Sequence, residues 1–510
     1  MGKMIVSLAV ALLLCWSSQA TEQTQPLKVC LVSGSAEYDS DTSLAAFQKY
    51  LEESYSARCT LMKARGFDDL PGLEALEGCD VALFLTRRLT IGGEQLERVK
   101  KYCESGRPIV AVRTASHGFQ KWLEFDKLVL GGNYSGHFGQ GPTTQVKIEP
   151  SAKNHAILDG VSEFRSRASL YRTEPLAEGC SLLMTGETPE SKGAQPLAWT
   201  RTHKGGRVFY TSLGAQTDFQ NATFRRMIAS ALFWAANREV ERKALAPVPA
   251  REPKPERKVT LRLRGRSETS RGSGDWNETR LERNITLNRT AIIVCDMWDQ
   301  HWCASATRRV VEMAPKMNEV IGAARKNGVL VIHAPSETLS AYADTPARRR
   351  AIEAQNVAPP VPVNNWQSLD RAREGALPID DSDGGCDCQP QCKQYGAWTS
   401  QHPGIEISDD DAISDSGQEI YNLLEQYGVQ NVVIMGVHTN MCVLGRPFGI
   451  RQMVRLNKNP VLVRDLTDAM YNPRNAPFVS HAAGTQLVVE HVEKYWCPTI
   501  LSDDLLSVLR

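Results

Sequence analysis

Short apolar runs alternate along this chain with longer stretches whose apolar residues recur at helical spacing. LKVCLVSG, starting at Leu27, is an apolar run that ends in a glycine turn. TSLAAFQKYLEESY follows with helical periodicity, and VALFLTRR is a second run. GGEQLERVKKYCESG reads as a helix closed by Gly106, and PIVAVRT as a third strand. Strand-length runs alternating with helix-length stretches predict a parallel, doubly wound sheet. The pattern starts again near Thr290. There AIIVCD, VLVIHAPS, NVVIMGV and NPVLVRDL predict core strands. RVVEMAPKMNEVIGAARKNG predicts an amphipathic helix ending at Gly328. GQEIYNLLEQYG predicts another, with Asp415 or Ser416 as its N-cap and Gly428 after its end.

The expected fold class is therefore α/β: two three-layer α/β/α domains with mostly parallel sheets, over residues 27–238 and 290–510. Residues 239–289 separate them. They include KALAPVPAREPKPERK, rich in Pro and charge, and a Gly/Ser-rich polar stretch. This composition predicts an extended, solvated linker, with Trp276 available as an anchor on the second domain. The stretch from Glu337 to Ile405 is long and irregular. Segments of that kind are lids, insertions or disordered.

Charge narrows the function classes. The 510 residues carry 59 Lys and Arg against 58 Asp and Glu. No basic field points to nucleic acid. The first 20 residues, MGKMIVSLAVALLLCWSSQA, read as an export signal with Lys3, an apolar core from Ile5 to Leu14, and small residues near Ala20. The mature protein is then expected to be periplasmic or secreted. No later segment approaches the roughly 20 apolar residues that span a bilayer.

Cysteines bear on that expectation, since an exported chain can oxidise them. Thirteen are present, twelve after the signal. Most sit in or beside apolar runs and read as small buried hydrophobes. Cys386, Cys388 and Cys392 differ, because DDSDGGCDCQPQCKQ is a loop composition. A disulfide, a zinc site and free thiols all remain open there. Zinc wants four ligands, and Cys303 or His402 is available as the fourth. No other cofactor is required.

Two positions carry candidate chemistry. Asp296 ends one apolar run, and Cys442 lies just past another. In an open parallel sheet the carboxyl ends of the strands line the ligand crevice. An acid and a thiol meeting there make a nucleophile with a proton partner. A helix predicted over VLGRPFGIRQMV would start at Cys442, and its dipole would favour a thiolate.

Residues from about Thr290 to Leu487 resemble the isochorismatase-like cysteine hydrolases. AIIVCDMWD is similar to that family's first strand with its catalytic Asp, VVIMGVHTNMCVLG to its Gly-turn-Cys-Val motif, and PVLVRDLTDAM to its next strand. The resemblance implies acyl transfer on an amide or related small molecule, with Cys442 as nucleophile and Asp296 as proton carrier. It implies a cis peptide between Val437 and His438. Val437, His438 and Met441 on the turn, and His333 on a neighbouring strand, are the candidates for lining the oxyanion and substrate. Members of this family commonly associate, so a homo-oligomer is expected. One departure stands out. The family's Lys would fall near Ser408 or Asp409, and no Lys is there. Lys393, His301, His333 and His438 are the candidate replacements.

Residues from about Lys28 to Asn237 resemble the ThuA-like family, within the class I glutamine-amidotransferase-like folds. GGNYSGHFG and the block from QPLAWTRTHKGGRVFYTSLG to FWAA carry the resemblance. A pocket around His117, Gly132 and His137 is the candidate site there, with His117, His137 and His155 available to gather around a sugar or a metal. The amidotransferase nucleophile would sit in TASHGF, which has no Cys; Ser116 stands there beside His117, and adjacent residues on a turn rarely face each other. Ala215 and Gln216 occupy the place where the family usually has a His. A carbohydrate-binding protein and a non-catalytic scaffold are the alternatives to a Cys-dependent hydrolase.

Overall fold

Each half of the chain folds around its own sheet in the computed structural model, which describes residues 25–139 and 141–510. The expected export signal lies outside the described residues. The first sheet comprises β1 (Leu27–Gly34), β2 (Ala57–Lys63), β3 (Val81–Thr86), β4 (Ile109–Val112), β5 (Thr144–Ile148), β6 (Phe164–Ser166), β7 (Ser181–Glu187), β8 (Gln195–His203) and β9 (Gly206–Thr211). Their order is β2-β1-β3-β4-β9-β8-β7-β5-β6. The strands from β2 to β9 in this order pair in parallel, and the remaining pairings are antiparallel. The tight turn at Lys204–Gly205 joins β8 to β9, and so short a link permits only an antiparallel pair. The helices are α1 (Ser40–Ser54), α2 (Gly93–Glu104) and α3 (Ala222–Ala235).

The second sheet comprises β10 (Lys258–Glu268), β11 (Trp276–Thr286), β12 (Thr290–Cys295), β13 (Leu330–Ala334), β14 (Ala412–Ile413), β15 (Asn431–Val437), β16 (Asn459–Asp468) and β17 (Thr499–Ile500), ordered β11-β10-β17-β16-β15-β12-β13-β14. Its helices are α4 (Ala304–Lys326), α5 (Pro346–Ile352), α6 (Gly417–Gln426), α7 (Cys442–Gly445), α8 (Ile450–Arg455), α9 (His481–Tyr495) and α10 (Ser502–Leu509). Alternate residues of β12 serve opposite layers. Ala291, Ile293 and Cys295 enter one core, and Ile292 and Val294 the other. This two-sided burial makes the strand read as a continuous apolar run.

The expected linker is shorter than its composition indicates. Residues 258–286 form a hairpin in full register from Lys258↔Thr286 to Glu268↔Trp276, and β10 extends the second sheet by pairing with β17. Leu261, Leu263 and Ile285 are buried beneath it. Trp276 meets Tyr495 edge-on at 5.5 Å, as an anchor would. The segment before the hairpin is extended but not free. Arg251 donates to the Val329 carbonyl at 2.9 Å and lies over the Tyr427 ring.

The long segment after β13 is a strap held by buried polar contacts. Glu374 takes both Arg451 nitrogens, at 2.8 and 2.9 Å, and also accepts from His491 and Trp496. Burial alone would raise its pKa, but these donors outweigh it and hold the carboxyl at about 2. The first domain holds the same strap elsewhere. Arg226 pairs with Asp344 and Thr143 donates to the Gly396 carbonyl, while Arg167 pairs at 2.9 Å with Asp299, which follows β12 and accepts from Thr399 of the strap.

Candidate active site

Strand order dictates where a site forms. The chain leaves β12 for β13 and β14 on one side, then returns through α6 to place β15 on the other side. The crevice between β12 and β15 is a topological switch point, where open α/β sheets bind ligands. Asp296 follows β12 and Cys442 lies five residues past β15, so the acid and the thiol flank that crevice. Gly436 makes the approach possible. Its φ is +120°, and a Cβ there would lie 2.0 Å from the Cys295 carbonyl oxygen.

Asp296 is fully buried, with φ +46°. Its Oδ1 accepts from the Ser336 N–H at 2.8 Å, and its Oδ2 from Arg446 Nε at 3.0 Å. The Cys442 thiol lies beside the same carboxylate, close enough for that charge to act on it. Cys442 is 8 % exposed, so an electrophile can reach sulfur only through a narrow opening. Burial, and then the Asp296 charge, push the thiol pKa up, against a smaller lowering by Arg446. Both causes oppose the resting thiolate that a helix dipole would favour. α7 is a single turn, interrupted at Arg446 and Pro447 before α8 begins at Ile450. Pro447 lacks the N–H that would continue the helix, so little dipole is available to offset the neighbouring carboxylate.

The cation that meets Asp296 is Arg446, where the family resemblance implies a Lys. It lies four residues after Cys442, which brings its guanidinium back over the same turn. Burial opposes its charge, but Asp296, with the Cys442 and Cys295 thiols, raises its pKa well above the ordinary value. The other proposed cations do not serve. Lys393 is exposed in the cysteine loop. His301 is lowered to about 4 by burial and then by Arg309. His438 is driven well below its usual value by burial, His301, Arg309 and His481. Ser408 and Asp409 lie before β14, where the Ser408 N–H caps Asp411 and the Asp409 carbonyl accepts from Arg350. Asp415, just beyond β14, faces Asp296 instead, and its pKa is raised first by burial and then by that charge among others.

The Val437–His438 peptide is cis, as the family resemblance implies. The turn after it is braced by Thr439 on Thr467 at 2.8 Å and by Asn440 on Asp381 at 2.7 Å. Met441 packs near the turn but caps no helix with its side chain. His333 is engaged away from the thiol, between Gln401 at 3.0 Å and Asp411 at 3.1 Å. Aromatic rings wall the site. Trp298 and Trp398 stack at 4.3 Å, and His301 stands 4.9 Å from His438. Trp366 backs Gly445, whose added Cβ would lie 2.6 Å from the indole.

A charged path crosses the domain boundary to reach this site. Arg165, on β6 of the first domain, pairs with Glu337 at 2.8 Å and lies over Trp398 at 5.0 Å. Glu337 in turn approaches Arg446 at 3.7 Å. A cavity of about 310 Å³ opens at the same seam, lined by Arg165, Arg167, Tyr342 and Gln401 among others. Cys442 and Asp296 do not line it, so it is a neighbour of the reacting groups and not their pocket.

The corresponding elbow in the first domain has no nucleophile. The residue in the left-handed conformation after β4 is Arg113, φ +54°. Its guanidinium is buried, bonded to the Ser169 and Ser212 carbonyls and laid over Tyr171 at 4.1 Å. Ser116 does face its neighbour, contrary to expectation: its Oγ lies 3.1 Å from His117 Nδ1, because the chain coils into a 3-10 turn there. His117 stacks on Tyr134 at 4.4 Å, and burial, then Arg88, Arg87 and Arg113, lower it to about 4. Gly132 packs tightly, with Asp126 Oδ1 2.7 Å from where a Cβ would stand. His137 bridges to Tyr171, whereas His155 packs on Trp234 and caps the turn at 156–158. Trp199 and Tyr210 are fully buried and belong to the core.

Residues 28–235 match the ThuA family model, described as trehalose utilisation, and residues 290–484 match the Isochorismatase domain model. The first domain is thus ThuA-like and the second isochorismatase-like. No curated protein sequence matches the chain. Among solved structures, a ThuA-like protein from Parabacteroides merdae is 18% identical, over 43% of this chain and 93% of that one, with a TM-score of 0.34. A cysteine hydrolase from Pseudomonas syringae is 16% identical over 44% and 94%, TM-score 0.29. An isochorismatase family protein from Burkholderia thailandensis is 15% identical over 44% and 96%, TM-score 0.26.

Proposed function

We propose that the second domain hydrolyses an amide or related C–N bond of a small molecule through a covalent thioester on Cys442. The observation that carries this reading is one carboxylate, Asp296, shared between the Cys442 thiol and the Arg446 guanidinium at a switch-point crevice. A buried, protonated thiol beside a carboxylate needs a base at the moment of attack. Asp296 takes the Sγ proton as sulfur bonds to the carbonyl carbon. The oxyanion that develops meets the Cys442 and His438 N–H groups of the turn. Collapse breaks the C–N bond, and Asp296 returns the proton to the departing amine. Water, deprotonated by the same carboxylate, then attacks the thioester carbon; the C–S bond breaks, the acid departs, and Asp296 returns the proton to sulfur. Arg446 keeps Asp296 oriented through both half-reactions.

Amide turnover by the full chain, with intact-mass detection of an acyl adduct on Cys442, tests the proposal. Turnover lost in Cys442→Ser and Asp296→Asn supports it. Turnover that survives Cys442→Ser contradicts it.

A second reading belongs to the first domain. His117, Tyr134 and Tyr171 form an aromatic edge near the ends of its parallel strands, with ring centroids 4.4 to 6.1 Å apart. Such an edge suits the face of a sugar ring. Saturable sugar binding that is lost in His117→Ala or His137→Ala supports this role. Export is proposed with both readings, and the mass of the mature N-terminus tests it.

A further inference from the structure

Four cysteines converge beside the start of α4. Cys303, immediately before that helix, meets Cys386, Cys388 and Cys392 from the strap. The sulfurs of Cys303, Cys386 and Cys388 all lie within 4.8 Å of one another. Cys303 and Cys388 are 3.9 Å apart. Cys392 packs against the same cluster as a partly buried neighbour and stands outside that set of three, within reach as a fourth ligand. A disulfide needs sulfurs about 2.05 Å apart. Four thiolates on one tetrahedral zinc, each about 2.3 Å from the metal, stand about 3.8 Å from one another. The observed spacing fits the second geometry.

The surroundings fit thiolates as well. Ser305 Oγ reaches Cys388 at 3.1 Å. N–H and O–H donors around metal-bound sulfur offset its charge and fix its direction. Arg309, one turn into the helix, pairs with Asp387 at 3.0 Å, between two of the cysteines. The strap is shaped for the approach at Gly385, where φ is +71° and a Cβ would lie 2.3 Å from the Met470 carbonyl oxygen.

We propose that Cys303, Cys386, Cys388 and Cys392 bind one zinc ion as a tetrathiolate structural site. All four positions are protein ligands, which leaves no place for water. The ion joins the strap to α4 across more than 80 residues of sequence. Its influence extends to the reacting groups, because the Cys303 N–H donates to His301 Nδ1 at 3.1 Å and His301 packs on His438. Binding displaces four thiol protons to solvent, so retention of the metal weakens in acid.

Metal analysis of the purified full chain, paired with peptide-level alkylation of the four thiols under native conditions, tests the site. The expected result is one zinc per chain and four thiols that become alkylable only after chelation. Cys388→Ser should weaken zinc retention about 100-fold or more, the upper end of what loss of even an outer-shell partner costs. If that variant fails to fold, the wild-type stoichiometry and chelator-dependent alkylation still decide. Disulfide-linked peptides, four freely alkylable thiols without metal, or iron in place of zinc would each overturn the assignment.

Discussion

Replacing Arg446 by Met removes the cation from Asp296 while keeping most of the side-chain bulk that lies near Trp366. Turnover should fall by roughly 10²–10⁴-fold, the range that general acid–base catalysis contributes. Folding, followed by thermal melting, should change far less. Steady-state kinetics on any accepted amide checks this, and Arg446→Lys should recover part of the loss. Asp296 and Cys442 were legible in the sequence because each ends an apolar run, and the strand-end rule gave them a shared crevice. Arg446 was not legible by the same route. A search for a Lys near Ser408 looks along the wrong strand, whereas the usable signal was the four-residue spacing from Cys442 on the turn that follows it. The protonation state of the thiol was also hidden. It depends on burial and on a carboxylate 146 positions away in sequence, and a local helix signal carries neither.

At the scale of elements, the strap depends on Glu374. Its pKa is depressed when folded, so its contribution to stability is fully present above the ordinary carboxyl value of 4.5 and is lost as pH falls toward about 2. Urea unfolding should therefore weaken across that window. Glu374→Gln should cost about 3–5 kcal/mol at pH 7, the loss on breaking a buried ion pair, and should flatten the acid dependence. Equal stability of the two proteins at pH 7 would contradict the role. The strap's contacts could not be read from its sequence, since Glu374 finds Arg451 and His491 on distant helices. The hairpin 258–286 was readable in part. Val259, Leu261 and Leu263 alternate with polar or charged residues, and Leu281 and Ile285 are flanked by them, but the Pro-rich stretch before them and the high charge outweighed that signal. β2 was missed for a related reason: as an edge strand it buries few side chains, and ARCTLMK has no apolar run.

For the whole molecule, the first domain reaches the second domain's site through Arg165. Arg165→Ala should lower turnover by about tenfold, equivalent to roughly 1.4 kcal/mol. It should leave the melting temperature nearly unchanged, because exposed ion pairs contribute under about 1 kcal/mol. Kinetics and melting measured on the same preparation check both halves. A loss of stability without any change in turnover would show that Arg165 only joins the domains. Neither sheet's pattern predicts this contact, because it depends on how two separately legible folds meet.

The central claim is that Cys442 is a protonated nucleophile held between Asp296 and Arg446. The pH dependence of its alkylation, followed on the peptide that contains it, tests this most directly. Burial and the Asp296 charge hold its pKa up, and Arg446 lowers it. Asp296→Asn should therefore move the alkylation profile to lower pH even as amide turnover collapses, and Arg446→Met should move it to higher pH. Profiles that coincide in all three proteins would contradict the account.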